Sequence, residues 1–196
     1  MRKEQKELRR TEILQAGLEL FVRKGYAATK ITDIAEEANM STGLLFHYFE
    51  SKEKLYEELV DFGLQSMQAN MSMVYESPID YFEKVIHKMF TNMRENPWTA
   101  KMFVLMVQAY NTDGIPKQVG QIATQADHIE RSVNLIQQGQ QDGTIRKGDP
   151  LALSVAFWCT LQGVAERIAL RSDTPFPEPE WLLDVIRNKG VLPREK

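Results

Sequence analysis

Between residues 42 and 52 the chain reads Thr-Gly-Leu-Leu-Phe-His-Tyr-Phe-Glu-Ser-Lys. Leu45 and Phe49 stand four apart, the spacing that anchors one side of a helix. Thr42, Gly43, Leu44, Phe46, His47 and Tyr48 are then left to face outward or sideways. A duplex major groove admits one helix and is read there by hydrogen bonds and apolar contacts. Gly43 costs helix stability but lets backbone approach a ligand closely. Lys52 follows Ser51, a good N-cap. A cation and free N–H groups therefore coincide at a helix start, a combination that binds phosphate. The chemistry of this stretch is non-covalent recognition of a polyanion.

Nothing else in the chain suggests bond-making chemistry. His87 and His128 are isolated, with no HxxxH pair or carboxylate cluster beside them, so no metal is expected. There is no Ser/His/Asp, Cys/His or paired-carboxylate pattern and no glycine-rich phosphate loop. No cofactor and no enzymatic activity are expected.

The elements that must position the recognition stretch are helical. Ile13, Leu14, Leu18 and Phe21 recur at helical spacing over residues 6–24, and Gly25 stops that helix. Residues 31–38 form a second helix with Ile31, Ile34, Ala35 and Ala38 on one face. Asn39 suits a left-handed turn, and Ser41 caps a third helix over residues 42–49. At two turns that helix is held by packing, not by its own propensity. Ser51 caps a fourth helix expected to run to about residue 75. Beyond it, helices are expected at 79–96, 97–110, 116–142, 150–171 and 177–189. The expected fold class is all-α, with about nine helices. It divides into a three-helix helix-turn-helix domain (1–52) and a larger helical domain (53–196).

The segments ILQAGLELFVRKGY, TDIAEEA and STGLLFHYFESKEKL, in that order near the start of a roughly 200-residue helical chain, resemble the TetR/AcrR-type transcriptional regulators. The resemblance covers about residues 13–55, a quarter of the chain. It implies a homodimer that reads a pseudo-palindromic double-stranded DNA operator; a cytoplasmic location is expected separately, from a charged N-terminus without a signal-peptide core. It also implies a repressor that lets go when a small apolar or amphipathic effector binds the larger domain. Carried over residue by residue, Thr42, Gly43 and Leu44 fall where family members contact bases. Phe46, His47 and Tyr48 fall where they contact phosphate and thymine methyls, and Lys52 on the phosphate-binding lysine. Four positions depart from the family pattern. Asn39 replaces the usual Gly. Lys30 stands where a hydroxyl residue caps the second helix, so the cap is expected to move to Thr29 and Lys30 to meet phosphate. Thr42 removes a common cation, and Phe46 replaces Tyr and loses its hydroxyl. The losses would be offset by Arg9 and Arg10 on the basic N-terminus. Two alternatives stay open: a DNA-binding activator or protein-controlled regulator, and a helical interaction dimer that has lost DNA binding.

Composition agrees with a chain that points one end at phosphate. Residues 1–56 carry net +1, and +3 within the first ten, whereas residues 57–196 carry net −4. One cysteine, Cys159, excludes a disulfide framework. No apolar run approaches membrane-spanning length, so no membrane partner is expected.

Seven methionines lie between residues 67 and 106, interleaved with aromatics. Each alone is ordinary core. Together they suggest an adaptable apolar cavity. The residues expected to bind an effector are Met67, Met71, Met89, Met93, Trp98, Met102, Phe103, Met106 and Tyr110. Trp158, Gln162 and Glu166 on a later stripe join them, although Gln162 and Glu166 fit a dimer interface or an intrahelical polar pair equally well. Ala156, Thr160 and Gly163 form a small-residue face suited to close helix crossing. With Arg167, Trp181 and Val185 they are expected to form the dimer bundle.

Overall fold

A computed structural model of the chain describes residues 2–71, 73–111, 113–125, 127–171 and 173–190, without the side chains of residues 2, 3 and 69–71. Among these residues the chain is all-α, with ten helices and a single isolated bridge between Ile145 and Arg187. The helices are α1 (Arg2–Lys24), α2 (Ile31–Glu37), α3 (Thr42–Phe46), α4 (Lys52–Met71) and α5 (Pro78–Glu95), then α6 (Trp98–Asn111), α7 (Lys117–Thr124), α8 (His128–Gln141), α9 (Pro150–Leu170) and α10 (Pro179–Leu183).

Packing divides the chain into two compact units. One comprises residues 1–66 and 101–126, the other 67–100 and 127–190 within the described chain. This cuts the chain differently from a boundary at residue 52. The first four turns of α4, most of α6 and all of α7 pack with the N-terminal helices.

The first unit is built around Ile13, Leu18, Phe21, Ile34, Leu45, Leu55, Tyr56 and Leu59, all sealed from solvent. These are the inward positions of α1 to α4, which is why four helices share one core. Gly17 lets α4 approach: a Cβ there would stand 2.6 Å from a Leu55 methyl. Phe21, Tyr26 and Tyr56 stack beside it, with Tyr26 and Tyr56 ring centres 4.7 Å apart. A second glycine, Gly63 on α4, receives α6 in the same way. Its Cβ would stand 2.5 Å from the Met106 sulfur and 3.1 Å from that of Met102.

In the second unit α5, α8, α9 and α10 surround Phe82, Phe157, Leu161 and Leu183. Trp158 on α9 donates from Nε1 to Ser132 Oγ at 2.9 Å, and Ser132 donates to the His128 carbonyl at 2.7 Å. His128 stacks on Trp158 at 4.6 Å, and its Nδ1 is buried with no hydrogen-bond partner. Burial pushes the His128 pKa down to about 4, with the Arg131 charge adding and Asp127 opposing. The ring is therefore neutral near pH 7.

Helix α1 starts at Arg2 and α4 ends at Met71, each a few residues from the expectation, and three other helices differ as well. Residues 116–142 form two helices, because the Asp127 carboxylate accepts from the Ile129 and Glu130 N–H groups and starts α8 afresh. The third helix ends at Phe46 instead of residue 49. The His47 and Tyr48 N–H groups bond three residues back, to Leu44 and Leu45, which tightens the last turn. The last helix is also short. Past Leu183 the chain turns to pair Arg146 N–H with the Ile186 carbonyl and Asn188 N–H with that of Thr144.

Candidate nucleic-acid interface

α3 is held from both ends. Asn39 adopts a left-handed turn (φ 53°), as its residue type suggests. Ser41 is extended, and its Oγ accepts from Leu44 N–H at 3.2 Å. Leu45 and Phe49 are buried and fix the inner side. The outer side carries Gly43, His47, Leu44 at 42% exposure and Phe46 at 48%, with Thr42 and Tyr48 half-buried. A Cβ at Gly43 would meet nothing within 4 Å, so no internal contact requires this glycine. Two large apolar side chains thus stand in water on a helix of five residues.

The cations are arranged differently from a simple basic arm. α1 begins at Arg2, so the N-terminal basic residues lie on a helix. Arg9 pairs with Glu12 at 2.7 Å. Arg10 binds the Glu58 carboxylate with both guanidinium nitrogens and lies over the Phe49 ring at 4.8 Å. Its charge is committed to joining α1, the turn after α3 and α4, and its pKa is raised, first by the Glu58 hydrogen bond. Lys52 is committed too. Its ammonium donates to the Tyr26 and Thr29 carbonyls, each at 2.9 Å, and sits over the Tyr26 ring at 4.1 Å. Lys52 therefore pins the α1–α2 loop to the first residue of α4. The neighbouring Tyr26 hydroxyl donates to Glu53 at 2.9 Å, and the Glu53 carboxyl is held below its usual range, chiefly by its own backbone N–H and the Ser51 hydroxyl.

Thr29 does not take over as the α2 cap. It is buried, and its hydroxyl bonds back to the Gly25 and Leu20 carbonyls. Lys30 occupies the cap position with no side-chain cap bond, and its side chain is exposed beside α2. Glu58 and the two loop carbonyls were invisible in sequence, since Arg10 and Glu58 are 48 residues apart.

The residues expected to meet an effector are split between the two units. Met102, Phe103 and Met106 are buried within the first, where Tyr110 is exposed. The two methionine sulfurs fill the space above Gly63. In the second unit Met93 is buried and Met67, Met89 and Trp98 are half-buried, whereas the Met71 side chain lies outside the described residues. Trp158 is buried, Gln162 half-buried and Glu166 exposed. The expected dimer face on α9 is open. Ala156, Thr160, Gly163 and Arg167 are exposed, and a Cβ at Gly163 would meet nothing within 4 Å. Leu170 at 50% and Trp181 at 66% exposure continue the apolar surface, and Val185 is half-buried. Among the described residues no group of three or more His, Cys, Asp and Glu is placed to hold a metal, and no helix is long and apolar enough to cross a membrane.

A capped, exposed reading helix set on a rigid four-helix core defines a helix-turn-helix DNA-binding protein. Residues 13–59 match the family model described as bacterial regulatory proteins, tetR family. The chain is 24% identical over 139 residues to the HTH-type transcriptional repressor KstR2 of Mycolicibacterium smegmatis, covering 70% of this chain and 68% of that one. Its fold is similar to the MbdR regulator from Azoarcus sp. CIB, with a TM-score of 0.71 at 21% identity, over 93% of this chain and 98% of that one. It is also similar to AibR, solved in complex with isovaleryl coenzyme A and operator DNA, with a TM-score of 0.62 at 17% identity over 90% and 94% of the two chains. The match to the tetR-family regulators thus rests on residues 13–59, and the similarity beyond them is one of fold.

Proposed function

We propose that the chain is a ligand-responsive repressor that acts as a homodimer on a pseudo-palindromic operator. The observation that carries this is the outer side of α3, where Gly43, Leu44, Phe46 and His47 are uncovered while the inner side is locked. Thr42 and Tyr48 flank that surface. Lys30, exposed at the start of α2, would meet phosphate. Lys52 and Arg10 shape the head from within. Residues 1–52 hold the reading function, and residues 53–196 hold effector binding and dimerisation. The α9 face with Trp181 and Val185 forms the dimer bundle.

Ligand response is supported by AibR, a regulator of similar fold whose structure holds both an acyl-coenzyme A and operator DNA. In this chain the effector is small and largely apolar, and it enters where Met102 and Met106 cover Gly63. Methionine side chains rearrange at low cost, so a filled core of this kind can yield to a ligand. α4 begins at Lys52 and ends beside Met67, and it carries the response to the head. The test is a salt-dependent gel shift on a palindrome upstream of its own or the adjacent gene, repeated with apolar compounds that raise Tm. Absence of specific binding at any salt would leave an interaction dimer as the function. Binding that no effector weakens would leave a regulator controlled by a protein partner.

A further inference from the structure

A cleft of about 310 Å³ opens in the second unit, between the segment that leads into α5 and one stripe of α8. Its two deepest residues, Tyr81 and Ser132, are each more than nine-tenths buried. Ser132 is fixed in place by the Trp158 and His128 bonds described above. The Tyr81 hydroxyl has no hydrogen-bond partner among the described residues. Burial raises the Tyr81 pKa, with Tyr75 adding and Arg131 opposing, so the phenol stays a proton donor.

Tyr75 meets Tyr81 edge to face at 5.4 Å. Leu135 adds an aliphatic wall, so the interior offers flat apolar contact. Arg131, Asn134 and Gln138 follow at helical spacing on the same face of α8. The cleft therefore has one cation, two amides and two phenols, and no lining residue is acidic. Arg131 makes no ion pair among the described residues. Donors outnumber acceptors, and a guanidinium fork matches a carboxylate in two parallel bonds. The volume is at the small end for ligand sites.

We propose that this cleft binds a small organic carboxylate, its head on Arg131 and the Tyr81 hydroxyl and its flat or short apolar body against Tyr75 and Leu135. The inference goes beyond the effector proposed at Met102 and Met106, because every residue it uses lies in the second unit. It stands whether or not that other site opens.

Isothermal titration of the full chain with sodium benzoate, with benzamide as its neutral counterpart and with inorganic phosphate tests it. Benzoate is expected to bind saturably at millimolar or lower concentration, and benzamide about tenfold or more weakly. Arg131→Gln and Tyr81→Phe are each expected to lose about tenfold for benzoate. Arg131 is exposed, so Arg131→Gln keeps its fold, which circular dichroism checks. If Tyr81→Phe proves unstable, Arg131→Gln carries the comparison, with the same loss of about tenfold expected. Equal affinity for benzamide, an unchanged Arg131→Gln, tighter binding of phosphate than of benzoate, or no saturable heat would each overturn the assignment. A gel shift on the same samples reports DNA binding separately, so failure here is distinguishable from failure of the regulator itself.

Discussion

Lys52→Met separates two ways in which this lysine can serve DNA binding. The ammonium makes two charge-assisted bonds of 2.9 Å to loop carbonyls and one contact with the Tyr26 face. Met keeps the length of the side chain and its apolar stem but loses all three. Hydrogen bonds from a charged group and one cation–π contact at a part-buried site give a loss of about 2–3 kcal/mol. For a chain of this length that lowers Tm by roughly 4–10 °C. Because Lys52 is committed inside the head, the salt slope of operator binding should stay as in the parent protein while affinity falls with the loosened α1–α2 loop. Were Lys52 instead a phosphate ligand, each protomer would lose about 0.9 from the slope, or about 1.8 per dimer, with little change in Tm. A salt titration by fluorescence anisotropy and a thermal melt on the same samples decide between them. A slope reduced by about 1.8 with an unchanged melt refutes the latch. Lys52→Arg serves as the control for charge, since a planar guanidinium keeps the cation but not the two-carbonyl geometry.

Further outcomes follow from other contacts. His128 is a base whose folded pKa is depressed from 6.5 to about 4, so its contribution is complete above pH 6.5 and is lost as pH falls toward 4. Denaturant melts should therefore show the parent protein losing up to about 3 kcal/mol more than His128→Phe across that window. Gly63→Ala drives a Cβ to 2.5 Å from the Met106 sulfur and should cost about 1–3 kcal/mol. Combining it with Met106→Ala should cost less than the sum of the single changes by about 0.5 kcal/mol or more, read from a double-mutant cycle. Ala156→Glu places a charge on the open face of α9 and should yield a folded monomer in sedimentation, with its far-ultraviolet spectrum unchanged.

Much of the head could be read from residue types, because its determinants are local. Caps at Ser41 and Ser51 act over three residues, and the left-handed turn needs only Asn39. The inward faces of α1 to α4 follow from helical spacing alone. The fresh start of α8 at His128 was also legible in principle. Asp127 followed by Glu130 is an acidic cap with a glutamate three positions on, the pattern that opens a helix, but continuous apolar spacing masks it. Long-range pairing was not legible. Nothing in the sequence distinguishes an arginine bound to Glu58 from one waiting for phosphate, and the same holds for the Lys52 ammonium. The methionine stripe had a related ambiguity. Periodicity shows which side of α6 turns inward, but only the position of Gly63 shows that two sulfurs already occupy the space.

The commitment of Arg10 and Lys52 inside the head bears on how regulation can evolve. α1, α2, α3 and the start of α4 share one core and are cross-tied by Glu58, Tyr26 and Thr29. These cross-ties oppose any re-aiming of single side chains of α3. On the proposed reading, an effector would then alter how two whole heads are spaced on the duplex. Occupancy and base preference would then be separate traits. Operators selected from a random pool with and without effector should share one consensus and differ only in yield. On that reading, a change in the larger domain would give the chain a new inducer without altering the set of promoters it visits.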